Sequence, residues 1–364
     1  MMSRRHHRRR VYPSPIVQSA SIYSPSLVSR ALRPSAITIG LFHALGGPPS
    51  ATSSQPGWSG KQIRGDYIKG YVAKVDWSDM QPSYAGQTFP DDNPVDAAIA
   101  ESESLGLQLK VRVFFGANAP SWAKHIGGDP ITLNEPTQSG VTFTIGRFWH
   151  PDYIEAYRLF WQQFAERYNS SSIIEVALSG PCTHWAEPDI RQSSDATNRA
   201  TYAAAGYTLE ADTAAQYAAI DAHVPLMKVS ARGCNPNQNG LVTAVSAERT
   251  VAYENYVRDT LGYYGAVGNN SLQYPYPGTG QMATVYAGID ALGPPVYFQT
   301  ATPARVGNLY QACLIGVAYG ATMIELNGTT AQYTSSEVYG MTPAQFDEVN
   351  AALAANAATI GYPK

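Results

Sequence analysis

The chain predicts an α/β fold, a (β/α)8 TIM barrel with an extended N-terminal arm, and three observations lead there. Short apolar segments rich in β-branched residues alternate with segments of helical periodicity from about residue 66 to the C-terminus. Strict β/α alternation with right-handed crossovers gives a parallel sheet, and this many repeats favours a closed one. The 364 residues leave room for one large domain plus extensions, since a barrel of this kind uses about 250 residues as a single unit.

Taken in order, residues 1–35 form the arm and residues 36–364 the barrel. The arm is rich in Arg, Pro and Ser, and Pro13, Pro15, Pro25 and Pro34 exclude a helix. Extended backbone of this kind must find its hydrogen bonds on another surface. Ile37 to Phe42 is taken as the first strand, although it could belong to the arm. Gly46 to Gly60, rich in Pro, Gly and Ser, reads as a loop or linker. Strands are expected at 67–77, 109–115, 173–179, 225–231, 263–268, 296–300 and 321–326. Helices are expected at 94–105, 152–168, 209–222, 244–261, 280–291, 303–319 and 342–358. The stretch from Ile131 to Trp149 reads as a β-hairpin in the long loop after the third strand.

A formal charge of -3 argues against nucleic acid as the main partner, because a duplex-binding face needs a basic stripe. Arginines cluster only at the start, in Arg4, Arg5, Arg8, Arg9 and Arg10, with no apolar run of signal-peptide length behind them. No stretch approaches the roughly 18 uninterrupted apolar residues of a membrane span. Cys182, Cys234 and Cys313 lack zinc-site spacing and read as buried thiols. No metal site and no cofactor are expected.

In a barrel the functional side chains project from the C-terminal ends of the strands. That rule selects His43, Asp76, Trp77, Arg112, Trp122, Glu187, Arg232, Asn269, Asn270, Gln299 and Glu325, with Trp185 beside Glu187. Carboxylates mixed with aromatics point to carbohydrate. Glycosidic cleavage needs one carboxyl to protonate the leaving oxygen and a second carboxylate to attack or stabilise an oxocarbenium-like centre. Glu187 and Glu325 are the catalytic candidates. Asp76, Trp77, Arg112, Trp122, Trp185, Asn270 and Gln299 are the substrate-binding ones, the tryptophans by stacking on sugar rings or, equally, as packing under loops. Asp76 could also serve to orient Arg112.

The segment Val75-Asp76-Trp77-Ser78-Asp79-Met80-Gln81-Pro82, the helix from Pro94 to Leu107, Lys110 to Gly116 and Ala119-Pro120-Ser121-Trp122 resemble the retaining glycoside hydrolases of the TIM-barrel clan, which includes cellulase-like and β-galactosidase-like families. Phe148-Trp149-His150-Pro151 through to Glu187-Pro188 extends the likeness, which covers roughly residues 66–330. The resemblance implies that Glu187, after strand four, is the acid/base. It also implies two departures. Ala186 stands where the clan usually has Asn, and Gln299 on strand seven stands where it has the nucleophile. Glutamine cannot form a covalent glycosyl intermediate, so Glu325 on strand eight becomes the second carboxylate. Retention would need it about 5 to 5.5 Å from Glu187, inversion about 6.5 to 9.5 Å. Asn134-Glu135-Pro136 matches the acid motif by letter but falls in the hairpin.

Ser21 to Val28 and Leu32 to Ile37 resemble the N-terminal arm of minor tail proteins of long-tailed bacteriophages. That resemblance implies a virion location at the tail tip, cell-envelope polysaccharide as the ligand, and docking on other phage tail proteins through residues 1–35. A plain disordered basic tail fits the same composition. Three functions therefore stand side by side: a hydrolase of envelope polysaccharide, a catalytically inactive receptor-binding tail protein, and a cytoplasmic bacterial glycosidase.

Overall fold

The structure is a computed structural model and describes residues 37–135, 140–182, 195–226, 231–234, 239–240, 245–276, 278–335 and 340–360. The expected arm, residues 1–35, lies outside the described residues, as do Trp185 and Glu187.

Among the described residues eight parallel strands form one curled sheet: β1 (Gly40–His43), β2 (Ile68–Asp76), β3 (Gln108–Phe114), β4 (Ile173–Ala177), β5 (Ala231–Cys234), β6 (Gly265–Val267), β7 (Val296–Gln299) and β8 (Ala321–Leu326). They pair in chain order, and β1 lies between β2 and β8, so the ladder returns on itself. The segment starting at Ile37 thus contributes a strand to this sheet, Gly40–His43, shifted toward its C-terminal end.

Strand β3 shows why the sequence folds this way. Leu109, Val111 and Val113 alternate toward the outer helical layer and join its apolar core, while Lys110 and Arg112 take the opposite face. The helix Pro151–Tyr168 covers that outer face. It starts with proline in the first turn behind His150, whose Nδ1 accepts from the Asp152 N–H at 3.2 Å. It buries Tyr153, Tyr157, Phe160, Trp161, Phe164 and Tyr168 along one stripe. Inside the sheet Phe42, Ala266, Tyr297 and Met323 pack together from four strands. Gly70 on β2 makes room for them: a Cβ there would lie 2.5 Å from both the Gln108 carbonyl oxygen and the Phe42 ring.

Two expectations shift and one helix is new. The strand expected at 225–231 lies at Ala231–Cys234, and Val224–Leu226 is a 3-10 turn instead; Pro225 has no N–H to give a central strand. The helix expected from 303 starts at Leu309, capped by the Asn308 side chain, which accepts from the Gln311 N–H at 2.9 Å. An additional helix, Ala196–Ala204, starts at Asp195, whose side chain accepts from the Asn198 N–H at 2.8 Å. The hairpin after β3 is present, with Ile131–Asn134 antiparallel to Thr142–Ile145.

Candidate functional site

The inward face of β3 carries the chemistry. Lys110 Nζ lies 2.6 Å from Glu325 Oε1 and also makes a close ion pair with Glu175 Oε1. Arg112 Nη2 donates to Glu325 Oε2 at 2.6 Å. The Lys110, Glu175 and Glu325 side chains are at most 1% exposed, whereas Arg112 reaches 12%. The network therefore runs from the closed interior of the barrel up toward its mouth.

Burial by itself lifts the Glu325 carboxyl, but the Arg112 guanidinium and the Lys110 ammonium outweigh it and hold the group down to about 2. Glu175 goes the other way: burial pushes it up, Lys110 opposes, and the negative charge of Glu325 adds to the rise. Glu325 is thus a fixed negative charge at working pH. It suits electrostatic stabilisation of a developing cation and is unsuited to proton donation.

Gln299 is paired in register with Glu325 across β7 and β8 and remains half-buried. Its N–H donates to the Asn269 carbonyl at 3.0 Å, and the Thr300 N–H donates to the Glu325 carbonyl at 2.9 Å. Asn269 Oδ1 accepts from the Ser271 N–H at 2.7 Å, so the turn after β6 is held by its own side chain. Asn270 follows it and is 8% exposed. These amides can donate to and accept from sugar hydroxyls; none can act as a nucleophile.

Asp76 ends β2, half-buried, at the start of the short helix Trp77–Met80. Trp77 corrects an expectation. It is fully buried, its Nε1 donates to Gln81 Oε1 at 3.0 Å, and Phe115, Trp122 and Tyr153 crowd its ring at 5.1, 5.3 and 5.6 Å between centroids. No face is left for a sugar. Trp122 is half-buried with its Nε1 donating to the Gln81 carbonyl at 2.8 Å. Arg112 is oriented by the Glu325 carboxylate.

Glu187 and Trp185 lie outside the described residues, and so does their separation from Glu325. The chain leading to them is held as far as Cys182: the Tyr157 hydroxyl donates to the Ser179 carbonyl, Tyr153 to the Pro181 carbonyl at 3.3 Å, and Gln216 Nε2 to Cys182 Sγ at 3.4 Å. His43, at the end of β1, shares a 2.9 Å hydrogen bond with the Tyr333 hydroxyl through Nδ1. Burial, with Lys74 adding, pushes its imidazole down to about 4, so it is neutral near pH 7. Asn134 serves the fold, because its backbone N–H and carbonyl bond the Asn198 side chain at 2.8 and 3.0 Å and tie the hairpin to the helix Ala196–Ala204. Cys182 and Cys313 are buried thiols, and the Cys234 side chain is outside the described set.

The strand-end rule selected neither Lys110 nor Glu175. The signal for Lys110 was present in Lys110-Val111-Arg112-Val113, where two cations occupy the same face of a strand whose other face is apolar. Among the described residues no cluster of His, Cys, Asp and Glu is arranged to hold a metal, and no helix is long and apolar enough to cross a membrane.

No protein family and no curated protein sequence matches the chain. Solved structures do. The catalytic domain of β-amylase from Paenibacillus polymyxa superposes with a TM-score of 0.55 at 13% identity, covering 86% of this chain and 98% of that one. The chain shares the fold of that domain. A Bacteroidetes-affiliated glycoside hydrolase family 5 cellulase has a TM-score of 0.47 at 12% identity, covering 90% and 95% of the two chains. A glycoside hydrolase family 5 enzyme from Prevotella bryantii has a TM-score of 0.45 at 10% identity, covering 88% and 98%.

Proposed function

We propose that the chain is a (β/α)8 barrel that binds host cell-envelope polysaccharide at the C-terminal ends of its strands and hydrolyses it, with Glu187 as acid/base and Glu325 as the second carboxylate. The observation that carries this reading is Glu325 itself. It stands at the end of β8, ionised, with both oxygens in ion pairs to Lys110 and Arg112 and with the half-buried Gln299 alongside. A carboxylate held in that way presents a preorganised negative charge to an oxocarbenium-like transition state, and Glu187 would supply the proton to the leaving oxygen. Asp76, Arg112, Trp122, Asn270 and Gln299, together with Trp185, would contact the glycan.

The second reading is a barrel that binds glycan without cutting it. It is favoured by the same residue: Glu325 is 0% exposed, and nucleophilic attack needs an oxygen that substrate can reach. The tail-tip setting rests on the sequence of residues 1–35 alone; those residues would dock on neighbouring phage tail proteins and place the chain in the virion, the alternative being a cytoplasmic glycosidase.

A panel of envelope polysaccharides assayed for both binding and reducing-end release separates these readings. The hydrolase predicts that Glu187→Gln abolishes release while leaving binding intact; unchanged release would remove Glu187 from the mechanism. Wild-type binding without any release establishes the binding-only barrel. Deleting residues 1–35 should leave a folded barrel that no longer joins a tail assembly, and normal incorporation would refute the docking role.

A further inference from the structure

Six large apolar side chains stand exposed among the described residues: Leu45, Tyr84, Val141, Leu209, Tyr263 and Tyr274. All but Tyr263 belong to segments that follow the C-terminal end of a strand, the side on which Gln299 and Glu325 sit. Single exposed apolar residues are ordinary on protein surfaces, so exposure by itself selects none of them. Tyr274 is distinguished by its backbone.

The loop after β6 continues upward and pairs with the loop after β7. The Leu272 N–H donates to the Gln299 carbonyl at 3.1 Å, the Ala301 N–H to the Leu272 carbonyl at 2.8 Å, and the Tyr274 N–H to the Val306 carbonyl at 2.8 Å. Parallel bridges join Leu272 to Thr300 and Tyr274 to Gly307. Gly307 has φ +69°, and a Cβ on it would stand 1.8 Å from the Tyr274 carbonyl oxygen, so only glycine permits the approach. The two loops are thereby joined into one wall that starts at Gln299. Tyr274 stands on that wall with its side chain 44% exposed, and the same two loops carry Thr302 and Arg305, both exposed.

The geometry points to Tyr274 as a sugar-stacking platform beside the barrel mouth, taking a pyranose ring of a bound oligosaccharide. This rests on the reading of the mouth as a glycan site and assigns the aromatic contact that Trp77, being buried, cannot provide. A sugar ring offers one apolar C–H face edged by hydroxyls. A single exposed aromatic on a backbone held by the neighbouring loop matches that pattern, and the phenol has only two side-chain torsions to immobilise on contact. A protein partner would instead require a contiguous apolar patch at the centre of a larger interface. Tyr274 is the one exposed large apolar side chain among the described residues of these two loops.

The test is calorimetric titration of the full chain with cellohexaose, mannohexaose, maltohexaose and chitohexaose, using wild type, Tyr274→Ala, Tyr274→Phe and Gly307→Ala. Wild type should bind at least one of the four. Tyr274→Ala should weaken that binding about tenfold, as loss of one stacked ring implies, while Tyr274→Phe stays within about twofold. Gly307→Ala should weaken binding with the ring still present, because its Cβ forces the two loops apart. Equal affinities for Tyr274→Ala and wild type would overturn the platform while leaving the glycan reading intact. Equal affinities for Gly307→Ala and wild type would overturn the role of the joined loops. Absence of wild-type binding to all four sugars would overturn the glycan reading on which the platform rests.

Discussion

Glu325 in the barrel lumen and Glu254 on the outer helix Ala247–Leu261 are both 0% exposed, yet the two regions treat a buried carboxyl in opposite ways. In the lumen, β3 supplies Lys110 and Arg112 to Glu325, and its carboxyl falls to about 2. In the outer layer Glu254 lies buried on a helix that packs against the helices Leu209–Asp221 and Gly280–Leu292, and among the described residues neither of its oxygens has a hydrogen-bond partner. Burial pushes its carboxyl well above the ordinary range. Burial is the same in both places; the cations decide the charge. A barrel that keeps an ionised acid under its mouth does so by devoting one strand face to it.

The strongest way to break this contrast is to remove Lys110, the cation shared by Glu175 and Glu325. Lys110→Met leaves two buried carboxyls with only Arg112 nearby, and loss of one partner from a buried ionic network costs about 3 to 5 kcal/mol. Urea unfolding at pH 7 should show that loss. A change below about 1 kcal/mol would mean the lumen does not depend on the ion pairs as described.

Acid should act in the same place with a smaller effect. Glu325 sits at about 2 in the folded protein against an ordinary 4.5, a depressed carboxyl. Its stabilisation is complete above about pH 4.5 and disappears as pH falls toward 2, amounting to about 3 kcal/mol from the shift. Glu175 is raised and works in reverse: its contribution favours the folded state at low pH and declines as pH rises past its ordinary range. Unfolding curves from pH 2 to 6 on wild type and Glu325→Gln would separate the two. The wild-type slope below pH 4.5 should flatten in the variant, and an unchanged slope would refute Glu325 as its source.

The outer layer was more legible in the sequence than the lumen. The stripe from Tyr153 to Tyr168 and the alternation of Leu109, Val111 and Val113 are periodic apolar patterns, and periodicity reports which face is buried. Position at a strand end, which needs only chain order, sufficed to nominate Arg112, Glu325, Asn270 and Gln299. What the sequence could not display was partnership. The contact of Arg112 with Glu325 spans 213 positions, and nothing local marks it. Trp77 failed for the same reason, since the rings that enclose it come from Phe115, Trp122 and Tyr153, on separate segments. Tyr274 carried no local signal either, because its support comes from Val306 and Gly307 in the next loop.

Glu254 gives the smallest effect and the sharpest test of the contrast, since its sign is opposite. With a folded carboxyl raised above its unfolded value, the folded state holds a proton that the unfolded state releases as pH passes its ordinary range. The resulting penalty is absent well below pH 4 and grows toward neutrality. Glu254→Met removes the titrating group and the unpartnered oxygens while keeping a side chain of similar length. It should therefore stabilise the protein by about 1 kcal/mol at pH 7. The gain should shrink at pH 4, where Glu254 is largely protonated in both states. Melting midpoints of wild type and variant at the two pH values measure the difference. A variant less stable than wild type at pH 7 would mean that Glu254 is ionised and paired, and the distinction between lumen and outer layer would collapse. A gain equal at both pH values would assign the stabilisation to packing, with no part for the buried acid.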